Sequence, residues 1–285
     1  MISPEQFEKE IDLIIENAIR EDVGDGDHSS LACIPKSAKG KAKLLVKDQG
    51  LIAGVKFAEK VFHHVDPELY IDLKIRDGQR ISKGDIAFYV EGSSQSILKA
   101  ERLVLNAMQR MSAIATKTAT FVEKLEGTGT KILDTRKTTP GIRALEKWAV
   151  KIGGGENHRF ALYDMVMLKD NHIDFAGGIT RAIDKTKEYL SNKDLDLKII
   201  VEARNMNEIR EILKSDGIYR ILIDNFNYED TRKAVDLING KCLTESSGGI
   251  TLETARSYAE CGVDYISSGA LTHSVYNLDL SLKAV

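Results

Sequence analysis

The sequence predicts an α/β protein with two domains, and two patterns support this prediction. In the first part of the 285 residues, an amphipathic helix is followed by alternating apolar and polar residues, as in strands with one exposed face. From about residue 131 onward, short apolar runs without alternation are each followed by a helical stretch, which is typical of parallel strands buried on both faces. We therefore expect a small mixed domain followed by a domain of repeated strand–helix units.

The first domain is expected to begin with a helix. Ser3 is a capping residue followed by proline at the first helical position, and apolar residues then recur at helical spacing as far as the turn at Gly24. A helix at 55–65 interrupts the strands, and a long helix at 97–126 follows them. Three alternating sets predict the strands: Ala42, Leu44 and Val46; Ile71, Leu73 and Ile75; Ile86, Phe88 and Val90.

Six apolar runs predict the strands of the second domain, with helices at 178–190, 206–214, 228–238 and 252–261. The predicted strands are Lys131–Asp134, Met165–Leu168, Lys198–Val201, Arg220–Ile223, Lys241–Thr244 and Val263–Ser267. Each run is followed at once by polar or glycine residues. A barrel has its active site at all these carboxyl ends, whereas an open sheet uses one switch point. Six such ends favour a barrel, and six strands make it an incomplete one.

Composition excludes several classes of protein. The net charge of −3 gives no bias toward nucleic acid or an anionic membrane, and no apolar run approaches the roughly 20 residues of a membrane span. The start of the chain lacks the pattern of a signal peptide. Cys33, Cys242 and Cys261 are far apart and form no CxxC pair, which favours reduced thiols. We expect a cytoplasmic protein with neither nucleic acid nor membrane as a partner.

The segment from residue 134 to residue 172 is unusually rich in cationic side chains. They surround a run of three glycines at 153–155 and follow two apolar runs, so they are expected to meet at one place. Guanidinium groups suit carboxylates or phosphates, and lysines supply compact charges. The pattern indicates a polyanionic substrate. The cations are Arg136, Lys137, Arg143, His158, Arg159, Lys169 and His172.

Two further sets follow the later strands. Ser247-Gly248-Gly249 and Ser268-Gly269-Ala270 occupy the last two strand ends, where barrels often bind phosphate through backbone N–H groups. Glu202 and Asp224 end two neighbouring strands, and paired carboxylates suit Mg²⁺ that is also held by substrate phosphates and water. Structural ion pairs with Lys137 or Lys169 are an equally good explanation of these carboxylates.

The motifs together resemble those of the quinolinate phosphoribosyltransferases, the type II phosphoribosyltransferase family. The similarity extends over most of the chain and includes an acidic motif, EDVGDGDHSS, at 21–30. The matching motifs are LNAMQRMSAIAT at 105–116, DTRKTTPGIR at 134–143, KWAVKIGGGENHR at 147–159, MLKDNHI at 167–173, ILIDN at 221–225, ESSGGI at 245–250 and GVDYISSGALTHS at 262–274.

The resemblance implies an N-terminal α/β sandwich domain at 1–112 and a C-terminal incomplete (β/α) barrel at 113–285. It implies a homodimer that joins quinolinate to phosphoribosyl pyrophosphate with Mg²⁺, giving nicotinate mononucleotide, pyrophosphate and CO₂. The catalytic residues that the resemblance implies are Lys137, Lys169, Glu202 and Asp224.

By motif match, each part of the two substrates has its own residues. Arg136, His158, Arg159 and Lys169 would hold the quinolinate carboxylates, completed by Arg102 from the other subunit. Thr135 belongs to the same site. The remaining residues would bind the donor: Lys137, Glu202 and Asp224 for the ribose, pyrophosphate and metal; Ser247, Gly248, Gly249, Ser268, Gly269 and Ala270 for the 5-phosphate.

Three other functions stay open from the sequence. A related transferase would act on another ring acceptor within the same fold. A lysine at a barrel strand end also suits a Schiff-base nucleophile, so a lyase using Lys169 is an alternative. A barrel that binds phosphate without catalysis is the third.

Overall fold

The computed structural model describes residues 2–285, and its internal contacts divide the chain into two compact units. The parallel-sheet unit contains Thr120–Arg136 and Gly155–Ala270. The antiparallel-sheet unit contains Ser3–Ala119, Lys137–Gly154 and Leu271–Val285. These units differ from a division at 112/113, because two segments of the C-terminal half pack with the N-terminal part and because position 112 lies inside one long helix. The domain limits 1–112 and 113–285 stay a prediction.

Helices and strands account for most of the chain. The helices are α1 (Pro4–Val23), α2 (His28–Cys33), α3 (Val55–Val65), α4 (Ser94–Lys124), α5 (Arg143–Ile152), α6 (Asp170–Ala176), α7 (Ile179–Asn192), α8 (Met206–Ile212), α9 (Tyr228–Ile238), α10 (Leu252–Ala259) and α11 (Ala270–His273). The strands are β1 (Lys39–Val46), β2 (Gly50–Leu51), β3 (Tyr70–Leu73), β4 (Arg80–Ile81), β5 (Ile86–Ser93), β6 (Lys131–Leu133), β7 (Val166–Leu168), β8 (Ile199–Ala203), β9 (Ile218–Asp224), β10 (Leu243–Ser247), β11 (Tyr265–Ser267) and β12 (Leu280–Ala284).

The antiparallel-sheet unit is built on a sheet of order β12-β1-β5-β3. Leu44 pairs with Phe88 on one side and with Leu282 on the other, and all three side chains are buried. The alternation of β1 and β5 therefore predicted the correct buried face. Two details were wrong: β3 ends at Leu73 rather than Ile75, and the C-terminal strand β12 was not predicted.

Helix α1 of the same unit forms as its capping pattern predicted. The Ser3 hydroxyl accepts a hydrogen bond from the Gln6 backbone N–H at 3.1 Å, and Pro4 occupies the first turn. Ile11, Ile14 and Ile15 form the buried stripe of this helix.

The parallel-sheet unit has strand order β6-β11-β10-β9-β8-β7, with every neighbouring pair parallel. This is the cyclic order of a barrel that lacks one closing pair, because within residues 2–285 β6 and β7 do not pair with each other. The predicted α/β class and the incomplete barrel are confirmed. All six predicted strands exist, but β10 begins two residues later than predicted and includes Ser246 and Ser247, while β8 includes Glu202.

Across residues 2–285, every helix is too short or too polar to cross a membrane. Cys33, Cys242 and Cys261 are all free thiols. Burial raises the pKa of the Cys242 and Cys261 thiols, which keeps them protonated, while Cys33 is exposed.

Candidate active site

The carboxyl end of the parallel sheet collects most of the predicted site residues. Strand tips in a barrel lie around one rim, so side chains far apart in sequence meet there. Arg102 and Lys137 belong instead to the antiparallel-sheet unit. The residues at this rim are Thr135 and Arg136 after β6, Lys169 after β7, Glu202 in β8, Asp224 in β9, Ser247, Gly248 and Gly249 from β10 onward, and Ser268, Gly269 and Ala270 after β11.

Two arginines, Arg136 and Arg159, lie close enough together for their charges to interact. Arg159 is 6% exposed, and its guanidinium donates to the Met165 carbonyl at 3.3 Å. Burial lowers the pKa of Arg159, and the positive charge of Arg136 lowers it further. Arg136 is exposed, so a solvent-accessible guanidinium lies beside a desolvated one, and an anion that contacts both would relieve their repulsion. The arrangement therefore fits an acceptor with more than one carboxylate.

His158 is placed differently from Arg159. Its ring Nδ1 accepts the Arg159 backbone N–H at 2.7 Å, and its Nε2 lies 3.3 Å from Glu245 Oε2. The His158 backbone N–H donates to the buried Asp134 carboxylate at 2.8 Å. Nδ1 is occupied by the Arg159 backbone, and Nε2 lies within ion-pair distance of Glu245, so His158 lies beside the arginine site as a supporting residue. Its direct contact with a substrate carboxylate stays a prediction.

Glu202 and Asp224 form the opposite arrangement, a pair of carboxylates. Burial raises the pKa of Glu202, and the neighbouring Asp224 carboxylate raises it again. Glu202 accepts a weak hydrogen bond from the Asp170 backbone N–H at 3.4 Å. Within residues 2–285 no cluster of three metal-binding side chains exists. Two carboxylates nevertheless fit Mg²⁺, which usually takes one or two from the protein and fills its shell with substrate oxygens and water.

The loop after β10 has a conformation that only glycine allows. Gly248 has φ +97°, and a Cβ there would lie 2.2 Å from the Asn225 side-chain oxygen. Gly249 also has positive φ, but the space beside it is open. Gly248 therefore lets the loop close onto the end of β9, while Gly249 leaves backbone accessible to a ligand. The Ser268 hydroxyl donates to the Ile250 carbonyl at 2.9 Å and so ties the last two loops together.

The lysines and the remaining arginine lie on the surface of their units. Lys169 is exposed, and its backbone N–H donates to His172 Nδ1 at 3.1 Å. Lys137 is exposed, and its carbonyl accepts from the Thr272 hydroxyl at 2.8 Å. Arg102 is exposed and lines a groove between α1 and α4 of the antiparallel-sheet unit. These three side chains are therefore reached by solvent.

The Gly153–Gly155 run proves partly structural. A Cβ on Gly153 would lie 2.5 Å from the Ala115 carbonyl oxygen, so the end of α5 packs directly on α4. In the same unit, Glu146 is fully buried and accepts two hydrogen bonds from the Arg110 guanidinium. It also accepts a hydrogen bond from the Thr139 hydroxyl at 2.8 Å. Arg110 and Thr139, which both lie in the family motifs, therefore have a structural role as partners of Glu146.

Sequence reasoning missed the buried charges beneath the rim. Arg220 and Glu245 are 5% and 0% exposed and lie 2.6 Å apart. The available signal was positional: Glu245 precedes Ser247 by two residues, so both side chains point to the same face of β10.

Comparison with known proteins agrees with this geometry. The family model for the quinolinate phosphoribosyl transferase N-terminal domain matches residues 27–112, and that for the C-terminal domain matches residues 114–283. Quinolinate phosphoribosyltransferase [decarboxylating] 1b of Nicotiana tabacum is 45% identical over 95% of this chain and 81% of the relative. A probable nicotinate-nucleotide pyrophosphorylase [carboxylating] of Bacillus subtilis is 40% identical over 92% of this chain and 89% of the relative.

A solved structure shows the same fold. The nicotinate-nucleotide pyrophosphorylase of Ehrlichia chaffeensis superposes with a TM-score of 0.89 at 35% identity, covering 100% of this chain and 99% of that one. Fold, strand-end residues and motifs agree, and the chain belongs to the quinolinate phosphoribosyltransferase family.

Proposed function

We propose that this protein transfers the phosphoribosyl group of phosphoribosyl pyrophosphate to quinolinate, releasing pyrophosphate and CO₂ and leaving nicotinate mononucleotide. The observation that carries the proposal is that one sheet rim has two like-charged pairs, Arg136 with Arg159 and Glu202 with Asp224. The names of the relatives support the same reaction. One is a decarboxylating quinolinate phosphoribosyltransferase, and the other is a probable carboxylating nicotinate-nucleotide pyrophosphorylase.

The acceptor half of the site is the cationic side. Arg136 and Arg159 bind the two carboxylates of quinolinate, because two neighbouring guanidinium forks suit a rigid dianion. Lys169 adds a compact charge at the adjacent strand end. As the family motif implies, we place Arg102 of the second subunit of a homodimer in this acceptor half.

The donor half is the other side of the rim. The loops at 247–249 and 268–270 hold the 5-phosphate through backbone N–H groups. Lys137, Glu202 and Asp224 act on the ribose and pyrophosphate. Glu202 and Asp224 are also the residues that would hold Mg²⁺, which supplies positive charge for the pyrophosphate when bound.

The chemistry requires charge stabilisation more than a protein nucleophile. The ring nitrogen of quinolinate attacks C1 of the ribose while the bond from C1 to pyrophosphate breaks, and negative charge grows on the leaving group. In this proposal the positive charge of Lys137, the residue indicated by the family motif, stabilises the leaving group. The 2-carboxylate then leaves as CO₂, its electron pair remains on the ring carbon beside the pyridinium nitrogen, and that carbon takes a proton.

The Schiff-base alternative is less well supported by the structure. A lysine of that kind is commonly activated by desolvation in an apolar pocket, whereas Lys169 is exposed. Borohydride treatment during turnover should therefore trap no substrate on Lys169. The cytoplasmic location stays a prediction, and the plant relatives are described as chloroplastic or mitochondrial.

The deciding experiment mixes the purified protein with quinolinate, phosphoribosyl pyrophosphate and Mg²⁺. We expect CO₂ and pyrophosphate in equal amounts, and no CO₂ when nicotinate replaces quinolinate. Binding of phosphoribosyl pyrophosphate without CO₂ release would instead indicate a phosphate-binding protein. Turnover of another ring acid in preference to quinolinate would indicate a related transferase.

A further inference from the structure

Glu245 is a fully buried carboxylate that the proposed chemistry does not use. It lies in the middle of β10, beside Leu222 of β9, whose side chain packs in an interior cluster with Ile200. Its Oε2 lies 2.6 Å from Arg220 Nη1 and 3.3 Å from His158 Nε2. The carboxylate therefore sits inside the barrel below the rim, between one strand cation and the loop that carries Arg159.

This network is a weak source of stability. A buried ion pair pays a desolvation penalty that often equals or exceeds its attraction, and apolar replacements are frequently neutral or stabilising. Burial raises the pKa of Glu245, but His158 and Arg220 outweigh that effect and hold the pKa at about 2. The carboxylate is thus ionised under ordinary conditions, and the Arg220 guanidinium is held beside it by charge as well as by packing.

His158 connects this network to the acceptor half of the site. Glu245 faces one ring nitrogen, and the other accepts the Arg159 backbone N–H. If the ring turned, the bond to Arg159 would be lost. The Asp134 carboxylate holds the His158 backbone from the opposite direction, so the main chain at 158–159 has little freedom.

We propose that Glu245 is a positioning residue for acceptor binding: with Arg220 it anchors the His158 ring, and His158 fixes the main chain from which Arg159 faces Arg136. This inference rests on the proposed function, because Arg159 is the group whose position affects quinolinate. Glu245 itself contacts no substrate in this account.

The test is steady-state kinetics of Glu245→Gln, with each substrate varied in turn. We expect the KM for quinolinate to rise about tenfold and the KM for phosphoribosyl pyrophosphate to change less than about twofold. His158→Gln should give the same pattern. Because both changes break the same chain of contacts, the KM for quinolinate in the double variant should be within about twofold of its value in either single variant. Ser246→Ala is the matched control: it is buried in the same strand, points to the other face, and should leave both KM values unchanged.

Glu245→Gln leaves Arg220 buried without its partner, which threatens folding. If the single variant does not fold, the same kinetics are measured on the double variant Glu245→Gln with Arg220→Met, which removes both charges. An unchanged quinolinate KM, an equal rise for both substrates, or multiplied effects in the double variant would overturn the positioning role. Wild-type protein that releases no CO₂ from quinolinate would contradict the proposed function instead.

Discussion

The rim of the parallel sheet brings like charges together twice, with opposite sign. On one side, burial and Arg136 lower the pKa of Arg159; on the other, burial and Asp224 raise the pKa of Glu202. Each pair places like charges together, and a ligand of the opposite charge would relieve that repulsion. The contrast teaches that one rim contains two half-sites, one for an anionic acceptor and one for a cation with its phosphate ligands.

The largest effect is expected from the buried member of the cationic pair. Arg159→Met should reduce kcat/KM for quinolinate roughly a hundredfold, from about 3 kcal/mol of lost charge-assisted binding, with little change in the KM for phosphoribosyl pyrophosphate. Arg210→Ala, in which an exposed arginine bonded to Asn207 is removed, is the control and should be kinetically silent. Parallel losses for both substrates would remove the distinction between the half-sites.

The next effect concerns the loop on the donor side. Gly248→Ala forces a Cβ toward Asn225, so the loop must shift, and the KM for phosphoribosyl pyrophosphate should rise about thirtyfold, from about 2 kcal/mol of strain. Gly127→Ala is the control: Gly127 also has a positive φ, +81°, but a Cβ there would meet open space, and the residue lies outside the site. It should lower the melting temperature without changing either KM. A rise confined to the quinolinate KM in Gly248→Ala would contradict the assignment of this loop.

A smaller effect is expected in the pH dependence of stability. The pKa of Glu202 is raised in the folded protein, so the folded state binds more protons between its ordinary value of 4.5 and the raised value. Stability therefore falls as pH rises through that window. Glu202→Gln removes this penalty and should raise the melting temperature at pH 8 more than at pH 4.

Glu211 provides a control of opposite sign. Hydrogen bonds from the Thr180 backbone and hydroxyl lower the pKa of Glu211, so its contribution is present above the ordinary pKa and is lost on acidification. Glu211→Gln should lower the melting temperature at pH 8. If both variants moved it in the same direction at pH 8, the carboxylate pair would not be a site of repulsion.

The smallest effect is expected from the link between the last two loops. Ser268→Ala loses the hydrogen bond to the Ile250 carbonyl and should cost about 1 kcal/mol in the free energy of unfolding. The KM for phosphoribosyl pyrophosphate should rise less than in Gly248→Ala. A large rise without loss of stability in a urea titration would show that the hydroxyl binds phosphate directly.

The fold was largely predictable because its strands are locally apolar. All six strands of the parallel sheet appeared as short runs, and the alternation of β1 predicted its buried face. The errors arose where distant packing overrides local pattern. β10 was placed too early because Glu245, Ser246 and Ser247 are polar yet belong to the strand, and β12 was missed because its partner β1 lies more than 230 residues away.

The site was predictable in composition but not in orientation. Strand-end position indicated Arg136, Glu202 and Asp224, and the cationic segment at 134–172 indicated Arg159, without any coordinates. The His158 ring lies against Glu245 of β10, which is distant in sequence, and no local pattern encodes that contact. Sequence therefore identifies which charges gather at the rim, whereas packing decides which of them face outward.

The most direct test of two separate half-sites is calorimetry on Arg136→Ala and Glu202→Gln, each compared with wild type. Quinolinate is titrated into each protein, and phosphoribosyl pyrophosphate with Mg²⁺ is titrated separately. Arg136→Ala should lose most of its quinolinate affinity and retain binding of phosphoribosyl pyrophosphate with Mg²⁺. Glu202→Gln should show the reverse. Equal losses of both ligands in both variants would contradict the separation of the rim into an acceptor half and a donor half.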